Sequence, residues 1–214
     1  MKKVLIVAFI YPPLGGSGVQ RTLKFSKYLP DFGWQSFVVC SDDPDSFQCG
    51  VDPELEAEIP KSTTLWRRPM ISPLRLRQKV QKLLRLKTAA SMAKNSSMPA
   101  QPPVQTKKRG FLRFLSSPLA PFEFPAVDAA IYWSLAILPA CIKIIRREKI
   151  DAVFTTSFPY SDHVTGFFLK KLTGIPWVAD FRDPWSLNES ARNHGWRYRV
   201  DQWVEKIILQ SADR

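Results

Sequence analysis

Three short stretches of the chain carry residue types that can do chemistry. The first is Gly15-Gly16-Ser17-Gly18 with Arg21 behind it, set between the apolar run Val4 to Ile10 and an amphipathic segment opening at Val19. Strand, glycine loop and helix in that order turn bare backbone N–H groups and a helix N-terminus toward an anion, usually a phosphate. The second is Thr156, Ser157, Tyr160 and His163, just after the apolar segment Asp151 to Thr156. The third is Asp180, Arg182 and Asp183, after Pro176 to Asp180. Together they offer phosphate contacts, hydroxyl contacts and a charge-paired carboxylate.

Several familiar chemistries are excluded. A dinucleotide fingerprint needs glycine at positions 16, 18 and 21, and position 21 is Arg21; no Gly-Lys-Ser/Thr follows the loop, so it is not a Walker A motif either. No Ser-His-Asp or Cys-His spacing points to covalent catalysis, and no His, Cys and carboxylate cluster has metal-ligand spacing. Plainer readings stand beside the chemical ones. The glycines can serve a tight turn alone. Asp183 before Pro184 can cap the next helix while Arg182 pairs with either carboxylate. His163, and His194 in its polar turn, can be hydrogen-bonded surface histidines.

What must position these residues is an alternation of strands and helices. Val4 to Ile10, rich in β-branched residues, reads as a strand buried on both faces and ended by Tyr11, Pro12 and Pro13. Leu23, Phe25, Tyr28 and Leu29 form a helical stripe closed by Pro30 to Gly33. Trp34 to Cys40 is a second strand, Ser41 to Pro60 an acidic loop with at most one short helix, and Thr63 to Trp66 a short third strand. Ile71 to Thr88 reads as a basic helix, Ser91 to Lys108 as a mobile linker, and Gly110 to Pro125 as an aromatic, apolar stretch. Val127 to Lys149 reads as one long helix, Asp151 to Thr156 as a strand, and Ser161 to Gly174 as a helix capped by Gly174. Pro176 to Asp180 is a last strand, and Gly195 to Gln210 a last amphipathic helix. The alternation predicts an α/β, Rossmann-like, doubly wound parallel sheet, which puts all three stretches on its carboxyl edge.

At 214 residues the chain suits one such domain, with residues 68–125 as a basic insertion within it. Cys40, Cys49 and Cys141 are odd in number and form no C-x-x-C, the usage of a reducing cytoplasm. The first apolar run is seven residues long without a cleavage site, and Ala129 to Ile142 is short and contains Pro139, so neither reads as a signal peptide or a span. The formal charge of +12 has one source: Lys61 to Phe122 holds 14 Lys and Arg and no acid, while the other residues carry 17 basic against 19 acidic side chains.

YPPLGGSGVQRTLKFSKYLPDFGWQSFVV resembles the opening of the family 4 glycosyltransferases, GT-B enzymes that transfer a sugar from a nucleotide donor. DAVFTTSFPYSDHVTGFFLKKLTGIPWVADFRDPW resembles the second half of their N-terminal domain, in the subgroup with an Asp-Phe-Arg-Asp-Pro-Trp box. The resemblance implies an acceptor-side domain. Gly15, Gly16 and Gly18 would approach the donor diphosphate with Arg21 beside them. Ser157, Tyr160, Asp180 and Arg182 would line the cleft, with His163 and Asp183 as candidate catalytic groups. Where many members carry a histidine at the strand end, this chain has Ser157, with His163 six residues later. The family's donor domain, with its paired glutamates spaced E-x7-E, is not in the sequence. Residues 1–214 would then be the N-terminal half of a retaining enzyme, taking a nucleotide sugar and a glycan or lipid-linked acceptor, with neither cofactor nor metal, and inactive alone. The competing reading is a non-catalytic Rossmann-like module that binds a phosphorylated ligand or a separate donor-domain chain.

The basic segment has three readings. Residues 71–124 can contact an anionic membrane surface, placing the protein peripherally on the cytoplasmic face. They can be a solvated insertion without a partner. Their charge can also attract nucleic acid, although no recognisable nucleic-acid module is present.

Overall fold

The computed structural model describes residues 1–43, 50–70, 127–187 and 195–214. The basic helix, linker and aromatic stretch expected between Ile71 and Pro125, together with Cys49 and His194, lie outside the described residues. The described residues belong to one compact unit, Met1–Met70 with Pro125–Arg214.

Five parallel strands form one sheet: β1 (Lys2–Val7), β2 (Trp34–Ser41), β3 (Thr64–Arg68), β4 (Ala152–Thr156) and β5 (Trp177–Asp180), in the order β3-β2-β1-β4-β5. Val4 pairs with Ser36 on one side and with Ala152 on the other, so β1 is central. Its run Leu5-Ile6-Val7 is fully buried, as a strand covered on both faces requires. The helices are α1 (Ser17–Tyr28), α2 (Pro53–Ala57), α3 (Ile131–Ala136), α4 (Leu138–Glu148), α5 (Ser161–Thr173) and α6 (Trp196–Ser211). A 3₁₀ turn, Leu29–Phe32, ends α1 with Gly33 left-handed at φ 77°.

Side-chain alternation assigns helices to the two faces. Phe154 meets Phe25 of α1, with ring centroids 5.0 Å apart. Its neighbour Thr155 points the other way and bonds His163 of α5 at 2.7 Å. Trp177 shares the Thr155 face, and Gly166 of α5 lies against its indole. The sheet is doubly wound, as the sequence predicts.

Two expectations are corrected. The long helix Val127 to Lys149 is two helices, because Pro139 has no N–H for the carbonyl four residues back. Residues before Ile131 form a turn instead, with Asp128 Oδ1 accepting the Ala130 N–H at 2.9 Å. The first strand stops at Val7, short of Ile10, because its two ladders part there. Ala8 N–H still reaches Val39 on β2, while Phe9 N–H turns to the Asp162 carboxylate at 2.8 Å.

Candidate functional site

Strand order reverses between β1 and β4, and the crevice beyond their carboxyl ends is where an open α/β sheet takes a ligand. The glycine loop forms one wall. Arg67 of β3 donates to the Pro12 carbonyl at 2.8 Å, and the Asp52 N–H donates to Pro13 at 2.7 Å. Gly15 N–H donates to Gly50 at 3.2 Å. Gly16, at φ 90° and exposed, is the N-cap of α1 and supplies no side chain to close the helix end. Its conformation suits glycine. The peptide bonds Pro12–Pro13, Ser157–Phe158 and Phe158–Pro159 are cis.

Arg182 joins this wall to the other two. Its guanidinium donates to the Gly18 carbonyl, to Thr22 Oγ1 at 3.3 Å and to Thr156 Oγ1 at 3.0 Å, and its backbone N–H donates to Ser157 Oγ at 3.1 Å. Burial lowers its pKa and Asp180 opposes that pull, so a guanidinium remains charged here at any ordinary pH. Asp180 accepts from Arg21 at 2.7 Å on one oxygen and from Thr156 at 2.7 Å on the other. Gly18, Arg21, Thr156, Ser157, Asp180 and Arg182 are thus one hydrogen-bonded network. Arg21 enters it as the partner of Asp180, with half its side chain still in solvent.

Tyr160 lies beside the network. Its ring stacks on Trp185 at 4.9 Å, and its hydroxyl donates to Pro184 at 3.1 Å. Glu205 of α6 holds that loop by accepting the Trp185 and Ser186 N–H groups. Asp183 is exposed and caps no described helix, α6 beginning after Gly195.

His163 is neither on the surface nor open to the crevice. Its side chain is fully buried, and Phe181 stacks on the ring at 4.3 Å. Trp177 Nε1 donates to Thr155 Oγ1 at 2.9 Å, so the threonine hydroxyl is free to donate to His163 Nδ1. On the far side of the ring, Nε2 has no hydrogen-bond partner among the described residues. Burial pushes the imidazole down to about 3, which keeps it neutral.

Sequence reasoning missed two acids beneath the crevice, Asp162 fully buried and Asp128 half-buried. Asp128 accepts the Ser161 hydroxyl at 2.7 Å and the Ser161 N–H at 3.1 Å, capping α5 from another loop. Asp162 takes the Phe9 N–H that β4 would otherwise have accepted. Burial raises both pKa values, that of Asp162 well above the usual range. Their only signal was an acid among small and apolar residues. Among the described residues no His, Cys, Asp and Glu group is placed to hold a metal ion.

Neither a protein-family model nor a curated protein matches the chain. Similar solved structures include Phytolacca americana UGT2 complexed with UDP-2fluoro-glucose and pterostilbene, at 13% identity and TM-score 0.45, covering 86% of this chain and 31% of that one. They include SsfS6, a glycosyltransferase of Streptomyces sp. SF2575, at 15% identity and TM-score 0.38, covering 85% and 39%. A third is the C-terminal domain of the PF1911 hydrogenase from Pyrococcus furiosus, at 13% identity and TM-score 0.39, covering 84% and 90%. The chain spans under a third of the UGT2 chain.

Proposed function

We propose that the chain is the acceptor-side domain of a GT-B glycosyltransferase of family 4 type, working with a donor domain in the same polypeptide or another. One observation carries the reading. The glycine loop and the Asp-Phe-Arg-Asp-Pro-Trp box, the two stretches that resemble the family, meet through the bond from Arg182 to Gly18, 164 residues apart in sequence. In the reaction the bond from the anomeric carbon to the donor phosphate breaks and the bond to the acceptor oxygen forms, with configuration retained. The nucleoside diphosphate leaves toward the N-terminus of α1, where Gly16 and Gly18 present backbone N–H groups, Gly15 holds the loop in shape through its bond to Gly50, and Arg21 lends charge. Asp183 takes a hydrogen bond from the acceptor hydroxyl, and the acceptor's proton departs with the diphosphate. Ser157, Tyr160, Asp180 and Arg182 shape the cleft for a glycan or lipid-linked acceptor at the cytoplasmic membrane face.

The second reading, a binding module without catalysis, is favoured by the burial of His163 behind Phe181. The deciding experiment supplies the polypeptide isolated from its own cells with UDP-, GDP-, dTDP- and ADP-sugars and extracted lipid-linked acceptors. Acceptor-dependent release of nucleoside diphosphate, lost in Arg182→Gln, is the expected result. Nucleotide binding by calorimetry without release from any donor would establish the module instead.

A further inference from the structure

The outer face of α6 takes no part in the chemistry proposed above. Trp196 and Trp203 are 61% and 63% exposed, and Leu209 is 56% exposed. Seven residues are almost two helical turns, so the two indoles point within about 20° of each other. Arg199 and Lys206, also seven apart and exposed, form a second row about 60° to 80° round the helix. Gln202 and Gln210 complete the face.

The acids of this helix are all turned to other work. Asp201 accepts the Val127 N–H at 3.0 Å, and both oxygens of Glu205 hold the loop at Trp185 and Ser186. The outward face therefore presents cations, indoles and glutamines, with both acids of the helix engaged elsewhere. No helix among the described residues is long and apolar enough to cross a bilayer, so this face has the means to lie on a membrane and not to span it. Indoles favour the headgroup boundary, where an apolar ring and a polar N–H are both accommodated, and cations beside them complement anionic headgroups. We infer that the face of α6 formed by Trp196, Arg199, Trp203 and Lys206 docks on an anionic phospholipid surface, with the two indoles entering the interface.

The test uses the whole 214-residue chain with phosphatidylcholine vesicles, with and without phosphatidylglycerol, carrying brominated acyl chains. Tryptophan emission is expected to shift to the blue and be quenched only when phosphatidylglycerol is present. Trp196→Ser/Trp203→Ser should lose that quenching and bind far more weakly while keeping the wild-type circular dichroism. Arg199→Gln/Lys206→Gln leaves the indoles in place and should weaken binding about five-fold for each cation removed. Unchanged vesicle affinity in both double variants would overturn the inference and leave residues 71–124 as the contact. A dimer in sedimentation that Trp203→Ser abolishes would overturn it too, by giving the face to a second copy of the chain.

Discussion

Arg182 is the residue on which the two halves of the crevice depend. Replacing it with alanine strips donors from the Gly18 carbonyl, Thr22 and Thr156 at once. Charge-assisted bonds of this kind are strong, so a loss of about 3 kcal/mol in a denaturant titration is expected. Arg182→Lys should recover only part of it, because an ammonium cannot fork to three separate acceptors. His163 predicts a pH effect. It is neutral in the fold at about 3 but takes a proton near 6.5 once unfolded, so the unfolded chain binds more protons in that window. Stability should fall as pH drops from 6.5 toward 3, and His163→Gln should flatten that limb. Asp162 acts in the opposite sense. Burial raises its pKa in the fold, so what it contributes is lost as pH rises, and the difference between wild type and His163→Gln isolates the histidine.

Contact between α5 and β5 is set by a glycine. A Cβ on Gly166 would lie 2.2 Å from Trp177 Nε1, inside an indole that is itself fully buried. Alanine would gain about 1 kcal/mol in helix propensity and lose more to the overlap. Gly166→Ala should therefore cost about 2 kcal/mol net by thermal unfolding, while Gly166→Ala with Trp177→Phe should recover part of that loss. At this scale much of the fold was legible in the sequence. Five apolar runs became five strands, and Gly174 capped α5 because each signal is local. The end of β1 was not legible, since it depends on the Phe9 N–H finding Asp162 from 153 residues away. The break between α3 and α4 is written in Pro139, but the apolar pattern continues on both sides of it and reads as one helix. At the candidate site, strand order put the three stretches on one edge of the sheet, and there the structure brings them together. Their partners were not legible: that Arg21 would meet Asp180, or that Phe181 would cover His163, follows from packing across elements.

As a whole, the described unit carries a crevice that opens at the carboxyl edge of a single sheet. Residues 1–214 alone are expected to show no sugar transfer above background in a nucleoside diphosphate release assay, and robust turnover would refute the acceptor-side assignment. The sheet order also sets a timetable for synthesis. β1 can pair with β2 soon after Ser41 leaves the ribosome, but its other edge waits for Ala152. More than a hundred residues separate the two, roughly ten seconds at ordinary rates of translation. For that interval Val4 to Val7 offer an apolar, unpaired strand edge to whatever else is nascent nearby. Chains stalled before β4 should be bound by a holdase chaperone and released once β4 has emerged, which makes the central strand the one that waits longest for its second partner.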